Sequence, residues 1–404
     1  FDKNIVSWTD IRNVLKKDEA VVEIVRFRKY GMVPNKFNES VMVPGFTDTV
    51  VYVAMIITSN TKDNPEIVLM TNGTDLENKF IKQMRRAVVV YKYEDLDSYD
   101  VYWKKIADKL KGISTVYLSL DGVYNQMNVN ALLNPQTGKY LLEELDIRIV
   151  TNPKDIITYQ KQKKKNIENT AVLFGDPKYN IDSTNSTVSI ALLPGTREEI
   201  KKISLDLKEH QWETKEYMGD SAKESTLKAI VSPRVLHIAT HGKFLSDAKK
   251  ANINLTGGNE KKLNENPLML SMLLFTGAEN TILSPKEKQF DSDDGILTAY
   301  EAMNLDLDNT ELVILSACET GLGEVRNGEG VYGLQRAFQV AGAKTLIMSL
   351  WTVSDEATQE LMSNFYTHWL DGMNKRDAFR TAQLELKQKF SSSYYWGAFQ
   401  MIGE

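Results

Sequence analysis

The sequence predicts an α/β protein, a mostly parallel sheet flanked by helices, preceded by a related α/β unit. Three observations predict it. Segments rich in β-branched and aromatic residues alternate with segments of helical spacing through most of the 404 residues. Several strands are short continuous apolar runs, the pattern of strands covered on both faces. A lysine-dense polar stretch, Gln160–Lys165, interrupts the alternation, which then starts afresh.

In the first unit, residues 1–165, Val21–Phe27, Thr49–Thr58 and Glu66–Met70 are expected as strands. Asp75–Arg86 and Val101–Lys111 have helical spacing. Ser114–Leu120 is an apolar strand that stops at Asp121-Gly122, a strong turn signal. Ile147–Thr151 is the last strand before the polar stretch.

In the second unit, residues 166–404, Ala171–Phe174 is a strand ending at Gly175-Asp176-Pro177, followed by helices over Thr196–Lys208 and Ser221–Val231. Arg234–Ala239 is a buried-type strand. Lys243–Asp294 is long, polar and broken by Gly-Gly, Asn-Pro and Ser-Pro steps, with one short apolar strand at Met269–Phe275. A helix at Thr298–Met303, a strand at Leu312–Ser316, a helix at Val331–Ala341, a strand at Thr345–Leu350 and a helix at Asp355–Leu370 follow. The aromatic run Tyr394–Phe399 is expected to pack a final strand onto the core.

A hydrophobic fraction of 42% with 25% charged residues is that of a globular, soluble chain. The net charge of -5 gives no general attraction to nucleic acid or anionic lipid. No apolar run approaches the roughly 20 residues needed to span a bilayer, so no membrane partner is expected. No basic-then-apolar leader opens the chain. It starts on Phe1, not Met, as a fragment or processed product would. The single cysteine, Cys318, excludes an internal disulfide framework and fits a reducing, cytoplasmic compartment.

Two strand ends carry the chemistry. Val235-Leu236-His237-Ile238-Ala239 runs into Thr240-His241-Gly242, which puts an imidazole at the carboxyl edge of a sheet, where open α/β sheets build their sites. Leu312-Val313-Ile314-Leu315-Ser316 runs into Ala317-Cys318-Glu319-Thr320-Gly321 and brings the only thiol to the same kind of edge. A free thiol ionises near pH 8.5, and a neighbouring imidazole takes its proton or stabilises the anion. Gly242 lets backbone approach a substrate carbonyl, and its N–H, with that of Cys318, suits a developing oxyanion. By itself a lone cysteine closing an apolar strand reads as a packing residue. His237 and His241 share a strand face, but no HExxH is present and no metal is expected; His237 reads as a satisfied core group. No cofactor is expected, and a phosphate-binding enzyme is the weaker alternative, since neither GxxxxGK[ST] nor GxGxxG follows a suitable strand.

Strand-His-Gly followed by strand-Ala-Cys-Glu-Thr-Gly resembles the CHAT family of caspase-like peptidases, relatives of separase, caspases and gingipains. The resemblance extends through Asp294-Gly295-Ile296-Leu297-Thr298-Ala299, Gly328-Glu329-Gly330, Ser349-Leu350-Trp351 to Thr358, and Tyr395-Trp396-Gly397-Ala398-Phe399. In the first half, Tyr117-Leu118-Ser119-Leu120-Asp121-Gly122 is similar to the family's upstream region, with Leu120 in place of a common proline. The resemblance implies a caspase-like fold, a non-catalytic first unit, and a site-specific cysteine endopeptidase with a His241–Cys318 dyad. It also implies a protein substrate and an activating partner, engaged through tetratricopeptide repeats that longer members carry before Ser7-Trp8-Thr9-Asp10-Ile11. Bacterial defence or programmed cell death is the implied setting, with gasdermins and CRISPR-associated proteins as substrates or partners by analogy. A catalytically silent caspase-like scaffold is the alternative.

Three acidic residues are candidates for substrate recognition. Asp355 matches the region where separase-like relatives hold a basic P1 side chain, and a carboxylate there would pair with Arg or Lys. Ser354 or Asp355 also suits a helix N-cap. Glu329 lies in the glycine-rich loop after Cys318, and Asp176 ends the first strand of the second unit.

Overall fold

The computed structural model describes residues 5–161, 167–181, 190–244, 266–283, 293–317, 320–321, 323–326, 330–352 and 354–403. Of the expected linker over Gln160–Lys165, Gln160 and Lys161 close helix Asp155–Lys161 instead; the rest of it, most of Lys243–Asp294, and the positions of Cys318 and Glu329 lie outside these residues. Contacts divide the chain into two compact units: Phe1–Lys164 with Val325–Gly330 and Ile402–Glu404, and Lys165–Glu324 with Val331–Met401.

In the first unit, Ser7 caps helix Trp8–Val14: its hydroxyl accepts from the Asp10 N–H (3.3 Å) while the Asp10 carboxylate accepts from the Ser7 N–H (2.8 Å). Strands Glu19–Asn35 and Asn38–Thr58 form a long antiparallel hairpin, from Ala20 opposite Thr58 out to Asn35 opposite Asn38. Its outer part, residues 28–48, lies beyond the expected strands Val21–Phe27 and Thr49–Thr58 and contains Gly31, Pro34, Pro44 and Gly45. Those residues are tolerated because that part is a two-stranded ribbon. Glu66–Met70 meets the hairpin only at Tyr52–Ile56, and Thr115–Ser119 meets it only at Glu19–Glu23. A proline there breaks no ladder on a second side.

Parallel strands Thr115–Ser119 and Asp146–Val150 complete the unit, with Val116 opposite Ile147. Its core gathers Tyr52, Met70, Tyr102, Trp103, Leu118 and Tyr124. The expected helix at Asp75–Arg86 is there but longer, helical from Gly73 to Val90 with two wide π-type stretches. Val101–Lys111 is instead two short helices, Ser98–Tyr102 and Lys104–Ala107, broken at the wholly buried Trp103.

The second unit has its strands in the order Phe399–Gly403, Thr345–Ser349, Leu312–Ser316, Val235–Ala239, Thr170–Pro177, Glu213–Gly219. The registers from Thr345–Ser349 through to Glu213–Gly219 are all parallel. Every residue of Val235–Ala239, Leu312–Ser316 and Thr345–Ser349 is buried, as strands made mostly of apolar side chains and covered on both faces require. Helices Pro194–Glu209, Asp355–Leu370 and Lys375–Lys389 turn apolar faces inward through Ile203, Leu207, Leu361, Phe365 and Leu386.

The expected α/β architecture, with a mostly parallel sheet flanked by helices, is therefore present. The helix expected over Ser221–Val231 shrinks to Glu224–Lys228, and the aromatic tail is a helical turn, Ser393–Trp396, before the last strand. Met269–Phe275 is strand at Ser271–Leu274, the middle of an antiparallel trio with Gly242–Phe244 and Ile296–Thr298. Among the described residues no helix is long and apolar enough to cross a membrane.

Candidate active site

Strands Val235–Ala239 and Leu312–Ser316 lie side by side and parallel, with Ala239 opposite Ser316. His241 follows the first of these paired residues by two positions along the chain, and Cys318 follows the second by two.

The His241 imidazole is half-buried and oriented. Its Nε2 is 2.7 Å from the Ala191 carbonyl, which can only accept, so Nε2 carries the proton and Nδ1 the lone pair of the neutral ring. The ring leans on Tyr179, with centroids 5.2 Å apart and planes at 45°. The Tyr179 hydroxyl accepts from the His241 N–H (3.3 Å) and meets the Thr240 hydroxyl at 3.0 Å. Burial holds the His241 pKa below the ordinary imidazole value, against the raising pull of the Ala191 carbonyl; Lys243 lowers it further and Asp355 raises it. A neutral ring with a free Nδ1 is the state a general base needs. Nothing in the sequence marked Ala191, because it contributes only a backbone oxygen.

The Leu274 N–H donates to the His241 carbonyl (2.9 Å), and Gly242 stands opposite Leu273. In an antiparallel ladder the pairs alternate, so Gly242–Leu273 takes the non-hydrogen-bonded position and the Gly242 N–H points away from that neighbour. On the other strand end the chain is pinned on both sides of residues 318 and 319. Thr320 Oγ1 donates to the Ala317 carbonyl (3.2 Å), Ser349 Oγ donates to the same oxygen (2.6 Å), and the Gly321 N–H donates to the Ser349 carbonyl (2.8 Å).

A small cleft of about 40 Å³, partly open to solvent, lies at this sheet edge. Thr240 and Ala317, the residues directly before His241 and Cys318, line it, together with Gly195, Glu199, Trp351 and Asp355. Asp355 opens helix Asp355–Leu370, but the cap is Ser354, whose hydroxyl accepts from the Ala357 N–H (3.4 Å). The Asp355 side chain is exposed and has no hydrogen-bond or ion-pair partner among the described residues. Asp176 sits elsewhere and is engaged: Arg197 Nε donates to its carboxylate at 2.6 Å. Any substrate cation at Asp176 competes with that guanidinium. Glu199, which sequence reading passed over, is 5% exposed with one oxygen 2.8 Å from His237 Nε2. On an amphipathic helix such a glutamate reads as a solvent-facing charge, and only its buried partner reveals otherwise.

A family model described as the CHAT domain matches residues 98–404. The chain belongs to the CHAT domain family. The match begins within the first compact unit, not at its end. Tetratricopeptide repeat protein 28 of Homo sapiens is 27% identical over 197 residues, which cover 45% of this CHAT chain and 8% of that protein. The Mus musculus protein of the same name is 26% identical over 192 residues, with the same shares. The chain thus spans less than a tenth of the length of these relatives. Among solved structures, the Arg-specific cysteine proteinase gingipain R has a TM-score of 0.45 at 9% identity, covering 82% of this chain and 74% of that one. Separase from the Saccharomyces cerevisiae separase–securin complex has a TM-score of 0.40 at 11% identity, covering 85% and 21%.

Proposed function

We propose that this CHAT chain is a cysteine endopeptidase in which His241 Nδ1 takes the Cys318 thiol proton. The thiolate then attacks a peptide carbonyl, and the Gly242 and Cys318 N–H groups hold the oxyanion. His241 returns its proton to the leaving amine, and a water molecule deprotonated by the same ring hydrolyses the thioester. The observation that carries this reading is the cleft lined by Thr240 and Ala317, beside an imidazole whose other nitrogen is committed to Ala191. The Ala191 carbonyl orients the ring as the third group of a triad would. Asp355 receives a basic P1 side chain. The first unit is non-catalytic, and a protein partner switches the enzyme on in the cytoplasm. CHAT membership and the repeat-bearing relatives support this reading.

The test is covalent labelling with a peptidyl acyloxymethyl ketone bearing P1 Arg, beside mapping of new N-termini in a treated lysate. Wild type is expected to carry the label on Cys318 and to generate termini that Cys318→Ala and His241→Ala do not. If Cys318→Ala generates the same termini as wild type, the peptidase reading fails; if none of the three acts, the silent-scaffold alternative replaces it.

A further inference from the structure

Glu199 is buried in the middle of helix Pro194–Glu209, yet it lines the same cleft as Asp355. Its Oε1 meets His237 Nε2 at 2.8 Å, and His237 is wholly buried in strand Val235–Ala239. On the other side of that ring, Nδ1 is 3.2 Å from the Tyr366 hydroxyl. Burial, reinforced by the charge of Glu199, pushes the Tyr366 phenol well above its ordinary value, so it keeps its proton. One assignment satisfies every group. The Tyr366 hydroxyl donates to Nδ1, and the ring donates its Nε2–H to the Glu199 carboxyl group. This uses one carboxylate oxygen. The other has no partner among the described residues and is not sealed away with the unsatisfied buried atoms.

Among the described residues, those lining the cleft include two carboxyl groups and no Lys, Arg or His. Gly195 keeps the space between the helices open: a Cβ there would lie 3.0 Å from Asp355 Oδ2 and 2.5 Å from Gln359 Nε2.

We propose that Glu199, oriented by His237 and Tyr366, is a second specificity-determining carboxylate that, with Asp355, selects a guanidinium over an ammonium. A planar fork of five N–H donors pairs with two separate carboxylates at once, whereas an ammonium is a compact point charge that satisfies one. Glu199→Gln keeps the shape and an acceptor for His237 while removing the charge. The inference rests on the peptidase reading for its meaning but not for its test.

Binding of N-acetyl-argininamide and N-acetyl-lysinamide to the full chain carrying Cys318→Ala is measured by NMR titration, with no turnover involved. The arginine probe is expected to bind more tightly than the lysine probe. Glu199→Gln should weaken it by about ten- to a hundredfold and erase the preference, as a lost charge-assisted pair does. Asp355→Asn, an exposed and non-disruptive change, should weaken both probes. Unchanged arginine affinity in Glu199→Gln overturns the inference, as does an equal preference for both probes in the parent protein. If Glu199→Gln unfolds, Tyr366→Phe takes its place: the His237 ¹⁵N shifts must change and the arginine preference must fall, and an unchanged preference overturns the proposal. Selective probe binding without any labelling of wild-type Cys318 would leave this inference standing and remove the peptidase reading.

Discussion

Raising the pH is expected to loosen the three-stranded sheet that carries Gly242, with Glu224 as the cause. Glu224 is 1% exposed, and its Oε2 accepts from the Gly295 N–H at 3.0 Å. Lys228 Nζ approaches Glu224 at 2.5 Å and Glu301 at 3.0 Å. Burial pushes the Glu224 carboxyl up to about 8, against the lowering effect of Lys228, with Asp294 and Glu301 adding to the rise. An unfolded glutamic acid titrates near 4.5. Between these values the folded chain binds the extra proton, so this stabilisation is complete below about 4.5 and is lost as the pH climbs through about 8.

At about 1.4 kcal/mol per unit the interval is worth about 5 kcal/mol at most. The raised value already contains the lowering by Lys228, so a loss of no more than about 4 kcal/mol is expected between pH 5 and 8. Gly295 leads into Ile296–Thr298, which pairs with Ser271–Leu274 and through it with Gly242–Phe244, so the loosening reaches the candidate oxyanion donor. Urea unfolding of wild type and Glu224→Gln from pH 5 to 9 at fixed ionic strength measures the slope, and amide exchange at Gly295 and Leu274 localises it. A slope that survives in Glu224→Gln, or a flat wild type, refutes the reasoning.

Two further outcomes follow from other residues. Because burial lowers the His241 pKa, the acid limb of kcat/KM should fall below the ordinary imidazole value of 6.5, and Asp355→Asn, which removes a raising charge, should move it lower still; a limb above 6.5 in stopped-flow hydrolysis of a P1-Arg peptide contradicts this. Gly122 has φ +58° and a Cβ there would lie 2.0 Å from the Tyr52 hydroxyl, which donates to Glu77 (2.6 Å) and accepts from the Val123 N–H (2.8 Å). Gly122→Ala should destabilise the first unit by about 2–4 kcal/mol through strain and overpacking, and an unchanged thermal midpoint would count against that packing.

Local patterns made some of this legible in the sequence. Val235–Ala239 and Leu312–Ser316 each hold four apolar residues, and their shortness and β-branched content point to a doubly covered strand. His237 read as a satisfied core group because a histidine inside such a run must find partners, and it finds Glu199 and Tyr366. What could not be read depends on non-local contacts. The outer hairpin carries prolines that veto a central strand but not a two-stranded ribbon, and the sequence does not say which it is. Ser221–Val231 has helical composition, yet its chain is bound elsewhere, with the Ala222 carbonyl accepting from the Thr276 N–H at 3.0 Å.

The motifs that carried the family resemblance divide by physical cause. Gly295 is needed at φ +80°, where a Cβ would lie 2.5 Å from the Ala278 nitrogen; Thr298 and Glu301 form a capping box. Trp351 Nε1 donates to the Tyr394 carbonyl (2.9 Å), and the Leu350 N–H to the Ala398 carbonyl (2.9 Å), which ties together two matched segments far apart in the chain. Folding alone accounts for these. It does not account for the charged group buried beneath the cleft. A buried carboxyl group such as that of Glu199, hydrogen-bonded to the His237 ring through one oxygen, carries a desolvation cost that apolar side chains of similar volume would not. The reason for this pair has to be sought in what its unpaired oxygen can hold.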